Sequence, residues 1–381
     1  MVCFHDVAII GGGPAGCAVA LSLLRSQPDA SIVVFSDADP LRFKIGESLP
    51  PEAARLLRYL DASLPSTLST HLPCAGTASA WTSSSLEEHD ALMSPFGHGW
   101  HLDRARFDET LRTAARSAGP NLKFSEARVT AIRRETDLWI LETEAGGSAV
   151  QSRWLVDASG RRASAARLLG LRTRKTDDLL AVHALFSSTS GTTEDRDTRT
   201  LIEACSQGWW YSALLPSKQR LVAFHCDAPS AKGSIRTRTG FLDFLHDQTN
   251  HLARIVAKHE HDFSAPDDGA PVGPQTTAAC SSQLEGWQSQ AYFVPVGDAA
   301  LSFDPLSSQG MMTALEMGCI LGTELAANLL QLEGFSDERA IVESVTERYA
   351  EVWKHFEKSR KYYYSVQSRF DGDQFWASRH V

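Results

Sequence analysis

A short run of apolar residues without alternation, Val7-Ala8-Ile9-Ile10, ends in three glycines and passes directly into the alanine-rich stretch Pro14 to Ser26. Such a run predicts a strand buried on both faces, and the helical period after it predicts a packed helix. Ser31 to Phe35 repeats the buried-strand pattern, which makes a parallel βαβ unit. An amphipathic helix is expected from the prolines at 50 and 51 through Leu60. Residues 61 to 97 are rich in Ser, Thr, Pro and Gly and read as loops around one short apolar strand near Ala78 to Trp81. Phe107 to Ser117 reads as a helix, and Leu122 to Phe124, Ala127 to Ile132, Leu138 to Glu144 and Trp154 to Val156 read as strands.

The pattern then changes. Residues 179 to 187, 199 to 205, 209 to 215 and 220 to 227 form successive strand-like runs with polar turns between them, the mark of an antiparallel sheet. Phe241 to His261 reads as one helix, Ala291 to Ala300 as a strand entering a turn, Gly310 to Leu332 as a long apolar helix, and Ser336 to about Phe370 as a second helical region. The expected division is 1–170 plus 285–335 as one discontinuous lobe, 171–284 as a sheet lobe, and 336–381 as a C-terminal helical region.

The glycines carry the first chemistry. Gly11, Gly13 and Gly16 stand at G-x-G-x-x-G spacing between strand and helix, with Pro14 and Ala15 opening the helix. Gly11 suits the tight turn, Gly13 the approach of a pyrophosphate, and Gly16 close packing of helix on strand. Unpaired N–H groups at the helix start would hold the phosphates. Asp37 lies about twenty residues on, where an acid commonly meets the ribose hydroxyls. No second such motif is present, so one dinucleotide site of this kind is expected.

Composition narrows the partners. The chain has 381 residues, 43% hydrophobic, with a formal charge of -9 and interspersed signs, which argues against nucleic acid or an anionic membrane. The seven cysteines show no C-x-x-C pair, so reduced thiols in a cytoplasmic protein and no metal cluster are expected. No long uninterrupted apolar window and no signal-peptide pattern is seen.

Four separated motifs line up in order: Gly11 to Gly16; Gly46-Glu47-Ser48, preceded by Lys44; Asp157-Ala158-Ser159-Gly160-Arg161; and Gly297-Asp298-Ala299-Ala300 with Asp304-Pro305 and Gly310. Together they resemble the flavin-dependent halogenase and aromatic monooxygenase superfamily. The resemblance implies FAD, and an α/β fold in which a Rossmann-like, p-hydroxybenzoate-hydroxylase-like lobe carries an antiparallel-sheet substrate lobe and a C-terminal helical region. It places Gly297 and Asp298 at the ribityl-phosphate region and Asp304, Pro305 and Gly310 beside the isoalloxazine, with Arg104, Val129, Asp157, Gly160 and Met311 completing the FAD set. Capping of helices by Asp157 and Asp298 is the plainer alternative. The family's ribose acid falls on Ser36, so either Asp37 substitutes or the adenosine is held loosely.

Within the superfamily, tryptophan halogenases use a lysine downstream of the Gly-Glu-Ser motif and a W-x-W-x-I-P motif. This chain has no lysine between Lys44 and Lys123, and its Gly208-Trp209-Trp210-Tyr211-Ser212-Ala213-Leu214-Leu215-Pro216 displaces the proline. The resemblance is nearer to flavoproteins that hydroxylate a tryptophan of a partner protein during biogenesis of cysteine tryptophylquinone, through Lys44 to Pro51, Gly76 to Trp81, Gly97 to Arg104, Asp304 to Gly310 and the Phe375-Trp376 tail. It implies the precursor of a tryptophylquinone-dependent oxidase or dehydrogenase as partner, and reduced flavin supplied by a separate reductase or by slow direct reaction with NAD(P)H. Halogenation, hydroxylation of a small aromatic, reduction of an isoprenoid double bond, and a non-catalytic FAD-binding maturation chaperone are the alternatives.

In this reading Trp209, Trp210 and Tyr211 face the flavin as an aromatic wall, or else simply pack a strand, and Pro305 lines the loop beside the ring. Glu203 is the nearest acid, either a proton acceptor or an exposed strand carboxylate. His98 and His101 flank the Arg104 segment, as proton relays or as structural histidines. His259 and His261 do not share a helix face and so make a poor metal pair. The tail aromatics from Tyr349 to Trp376 pack on the FAD lobe or offer a docking surface.

Overall fold

The computed structural model describes residues 3–36, 43–144, 149–189, 194–228, 230–264, 273–330 and 338–380. Asp37 lies outside them.

Two sheets organise the chain. In the first, Cys3–Ile10 runs parallel to Ile32–Phe35 on one side and to Val150–Asp157 on the other. Leu122–Ser125 extends it beyond Ile32–Phe35, while the meander Val129–Glu135 and Leu138–Thr143 flanks Val150–Asp157, where Phe293–Pro295 also pairs in parallel. Val7, Ala8 and Ile9 are wholly buried, as an uninterrupted apolar strand requires. The helices Pro14–Ser26 and Gly310–Leu330 lie close together on it. Their contact depends on Gly318 and Gly322, where a Cβ would stand 2.6 Å from Ala15 O and 2.5 Å from Val19 O.

The second sheet has the strand order 261–263, 179–188, 220–227, 208–214, 200–205, 76–80, 87–90, with Gln275–Ala278 also pairing with Leu179–Ser188. At one edge, Gly76–Ala80 is the short strand expected near Ala78 to Trp81, while Glu87–Asp90, Leu64–Thr67 and Leu72–Cys74 come from the surrounding stretch that reads as loop. All four residues of Glu87–Asp90 are exposed and polar, so this edge strand carries no hydrophobic signature. One face of the sheet is covered by Arg238–Gln248 and His251–Lys258. The expected single helix there is two, because Thr249 is extended and the second helix has its own anionic cap. The expected strand at 291–300 is only Phe293–Pro295, followed by a single tight turn at Gly297–Ala299.

The C-terminal helix Glu338–Ser365 spans the first lobe, and the short Gln374–Ala377 helix reaches the second sheet. All seven cysteines are free thiols. Among the described residues no helix is long and apolar enough to cross a membrane, and no cluster of His, Cys, Asp and Glu could hold a metal ion.

Candidate active site

The glycine turn is built as its sequence requires. Gly11 has φ +115°, and a Cβ there would meet Ala158 O at 2.2 Å. At Gly13, by contrast, a Cβ would enter open space. Pro14 occupies the first helical turn, no side chain caps the helix, and its first turn holds no acid. The N–H groups at this helix start therefore lack a side-chain partner and face open space, a cradle for a diphosphate. Gly297 (φ +62°) comes against Ala15, where its Cβ would stand 2.9 Å from that methyl, so the Gly297-Asp298 turn abuts the same helix start. Gly310 opens the long apolar helix with nothing near its missing Cβ, and Met311 follows half-buried. The residues present thus fit FAD. Ser36 donates its N–H to Ser125 O, and Val129 begins a strand separated from Cys3–Ile10 by two others, half-buried against the core.

The Gly-Glu-Ser loop is held from the helix Arg104–Ser117, whose N-cap Asp103 accepts the Arg106 N–H (3.0 Å). Arg104 donates to Gly46 O at 2.8 Å and pairs with Asp108 at 3.2 Å; Lys44 reaches the same Asp108 at 3.0 Å. One turn on, buried Arg112 donates Nε–H to Gly12 O at 2.8 Å. Asp108 and Arg112 are absent from the sequence reading. Their signal was the spacing 104, 108, 112, which places a cation, an acid and a cation on one helix face.

Glu47 is buried, accepts the Gly46 N–H (2.9 Å) and accepts the Tyr211 hydroxyl; Ser48 Oγ lies 2.9 Å from that same hydroxyl. Burial pushes the Glu47 carboxyl above its usual range, and burial beside Glu47 raises Tyr211 well above that of a free phenol. The phenol therefore stays protonated as the donor to the carboxylate.

The three-residue aromatic wall does not form. Strand alternation sends Trp209 and Tyr211 to one face, where Tyr211 meets Glu47, and Trp210 to the opposite face, against Phe224, Phe241 and Phe244. Trp209 instead stacks on His225 (3.8 Å, 8°), which with His183 shares its face. Burial lowers His225 to about 3 and His183 to about 4, so both are neutral imidazoles. Neither was singled out in the sequence, although both hold alternate positions in strands. Glu203 is neither an exposed carboxylate nor near the wall's open side. It is buried and accepts N–H groups of Asn250 (2.7 Å), His251 (3.1 Å) and Leu252 (3.0 Å), capping the helix His251–Lys258.

Other assigned side chains turn elsewhere. Asp157 accepts Ser159 Oγ–H (2.6 Å) and the Ala166 N–H (2.8 Å), tying down the turn after Gly160 (φ +70°) and the helix start beyond it. Asp298 lies 3.5 Å from Arg161 and caps no helix through its side chain. Asp304 faces the C-terminal helix, accepting from Tyr364 (2.9 Å) and Arg360 (3.4 Å), while Pro305 is exposed. His101 is buried with its ring nitrogens 2.9 Å from Leu214 O and 3.0 Å from Thr200 Oγ1; burial lowers it to about 4. It is a structural histidine, whereas His98 is exposed. His261 meets Asp195 at 2.9 Å rather than a metal.

An open glycine turn and a Gly-Asp loop on the same helix start, beside a second, antiparallel sheet, mark the class of FAD-binding flavoproteins. The sequence profile described as Tryptophan halogenase matches residues 64–380, and the chain belongs to that family. It is a FAD-dependent enzyme of the halogenase-like monooxygenase type. LodB of Marinomonas mediterranea, described as a FAD-dependent oxidoreductase, is 28% identical over 99% of this chain and 97% of its own length. The flavin-dependent halogenase armH2 of Armillaria mellea is 24% identical over 85% of this chain and 66% of its own. Among solved structures, the flavin-dependent halogenase CmlS superposes with TM-score 0.81 at 22% identity, covering 100% of this chain and 68% of that one. QhpG, titled a peptidyl tryptophan dihydroxylase essential for tryptophylquinone cofactor biogenesis, gives 0.75 at 21%, covering 98% and 78%.

Proposed function

We propose that this enzyme hydroxylates a tryptophan side chain in a partner protein, the precursor of a tryptophylquinone-dependent oxidase or dehydrogenase. The observation that carries the reading is the missing amine. The chain has no lysine between Lys44 and Lys123, and Lys44 itself is drawn to the buried Asp108 at 3.0 Å. The stretch from the Gly-Glu-Ser loop to Lys123 thus offers no lysine to carry a halogenating species, and direct oxygen transfer to an electron-rich indole needs none.

When bound, FAD supplies the redox chemistry, the activation of O2. The chain's own residues orient and enclose. Tyr211, fixed through its hydroxyl to Glu47 and Ser48, lies where the second sheet meets the Gly-Glu-Ser loop, and fully buried Trp209, held flat on neutral His225, backs the same face of the sheet. An aromatic face there suits an indole, and Glu47 is a buried carboxyl able to hold a proton beside it. The likeness to QhpG supports this reading. Halogenation is the second reading, favoured by the family match and by CmlS. A separate flavin reductase completes the proposed system.

The test is co-expression with a candidate quinoprotein precursor, with and without this chain, followed by intact mass and peptide mapping. Gain of one or two oxygens on a tryptophan is the expected result. A halogen isotope pattern would establish the second reading. No mass change, with FAD bound and a reductase supplied, would sink both.

A further inference from the structure

Residues from Arg161 to Lys175, with Ala278, Cys280, Ser282 and Ser302, line a cleft of about 400 Å³. Five of these side chains, Arg161, Arg162, Arg167, Arg172 and Lys175, are cationic. No lining residue belongs to the glycine turn or to the Lys44–Ser48 loop. Arg161 is satisfied, donating to Cys280 O at 2.6 Å and Phe303 O at 2.8 Å and lying 3.5 Å from Asp298. The other four are exposed, and none forms an ion pair among the described residues. In a chain of net charge -9, four cations without an ion pair around one concavity repel each other.

We propose that this cleft binds the diphosphate of a dinucleotide, at a site separate from the glycine turn. Guanidinium groups are suited to phosphate because their N–H donors match its oxygens in pairs, and three of the four free cations are arginines. The volume falls within the range for small-molecule sites, and its concavity suits a compact polyanion rather than a nucleic acid or membrane, which would need a broad basic face. Leu171 and Ala278 add apolar surface for a base or ribose. Because Arg161 bridges from the cleft to Asp298, the ligand would sit one side chain from the Gly297-Asp298 turn. The same diphosphate chemistry is offered by a reduced nicotinamide dinucleotide arriving with electrons and by FAD in transit from a reductase.

The experiment titrates the FAD-saturated full chain with NADPH, NADH or further FAD by calorimetry, with inorganic diphosphate as competitor. One additional equivalent of a dinucleotide should bind and be displaced by diphosphate. Arg167→Glu and Arg172→Glu should each weaken it by about tenfold or more, the loss expected for one charge-assisted hydrogen bond. Arg128→Glu, on the first sheet, should not, and the FAD absorbance per chain should stay constant throughout. Nicotinamide binding identifies a direct electron donor, whereas a second FAD identifies flavin transfer. Binding of no dinucleotide, of inorganic diphosphate alone, or of a dinucleotide indifferent to the cleft variants overturns the proposal.

Discussion

The stack of Trp209 on His225 depends on an imidazole that stays neutral. Burial lowers His225 to about 3, against 6.5 in the unfolded chain. As pH falls below 6.5 the unfolded chain takes up a proton that the native one refuses, so stability drops on the acid side and is unaffected above neutrality. Between about pH 7.5 and about pH 5 this single group should remove on the order of 2 kcal/mol. His225→Phe should flatten that part of the profile, read as the shift of the urea midpoint between the two pH values. An unchanged shift in the variant would mean that the ring is not held neutral. The two histidines were hidden in the sequence because strand periodicity announces burial of a position without saying what its polar atoms will meet.

At the scale of elements, the two helices covering the outer face of the second sheet are separated by a side chain from the sheet itself. Glu203 projects from the strand Thr200–Cys205 to the start of His251–Lys258, so the break at Thr249 and Asn250 is a tertiary product. Glu203→Ala should cost about 1–2 kcal/mol, as loss of a cap that also meets the helix dipole. The check is chemical unfolding together with FAD content. Loss of flavin at unchanged stability would return Glu203 to the active site. The tight pairing of Pro14–Ser26 with Gly310–Leu330 is legible after the fact in Gly318 and Gly322, one turn apart. Without the partner helix, however, nothing says which apolar face needs the small residues.

Across the whole molecule, the C-terminal segment connects the lobes. Tyr364 and Arg360 hold Asp304 of the first lobe, while Trp376 donates to Cys205 O at 2.8 Å and Arg379 meets Asp227 at 2.6 Å on the second sheet. Trp376 is fully buried among Trp81, Tyr364, Phe370 and Phe375. Trp376→Ala should therefore lose about 3–5 kcal/mol, and it should also loosen FAD, because the Asp304 loop is anchored from the same segment. Unfolding free energy and FAD retained per chain after gel filtration would show it. A destabilised variant that keeps its FAD would confine the tail to a packing role. Packing on the FAD lobe is the default expectation for these aromatics beside a docking surface; Tyr349, Trp353 and Phe356 do pack on the first lobe, but Tyr364, Phe370, Phe375 and Trp376 pack against the second sheet, and Tyr362 and Tyr363 remain exposed.

Local pattern alone determined the βαβ opening, the run of antiparallel strands, the long apolar helix and the glycine turn, because these depend on periodicity and on backbone geometry that only certain residues permit. Tertiary structure decided which sheet received Gly76–Ala80 and Glu87–Asp90 and which face each aromatic of 209–211 took. It also decided where the carboxylates went: Glu203 to a helix start, Asp157 to a turn, Asp304 to the tail and Glu47 to a tyrosine far along the chain. A buried charge is settled by whichever donor the fold brings to it, and that donor is usually distant in sequence.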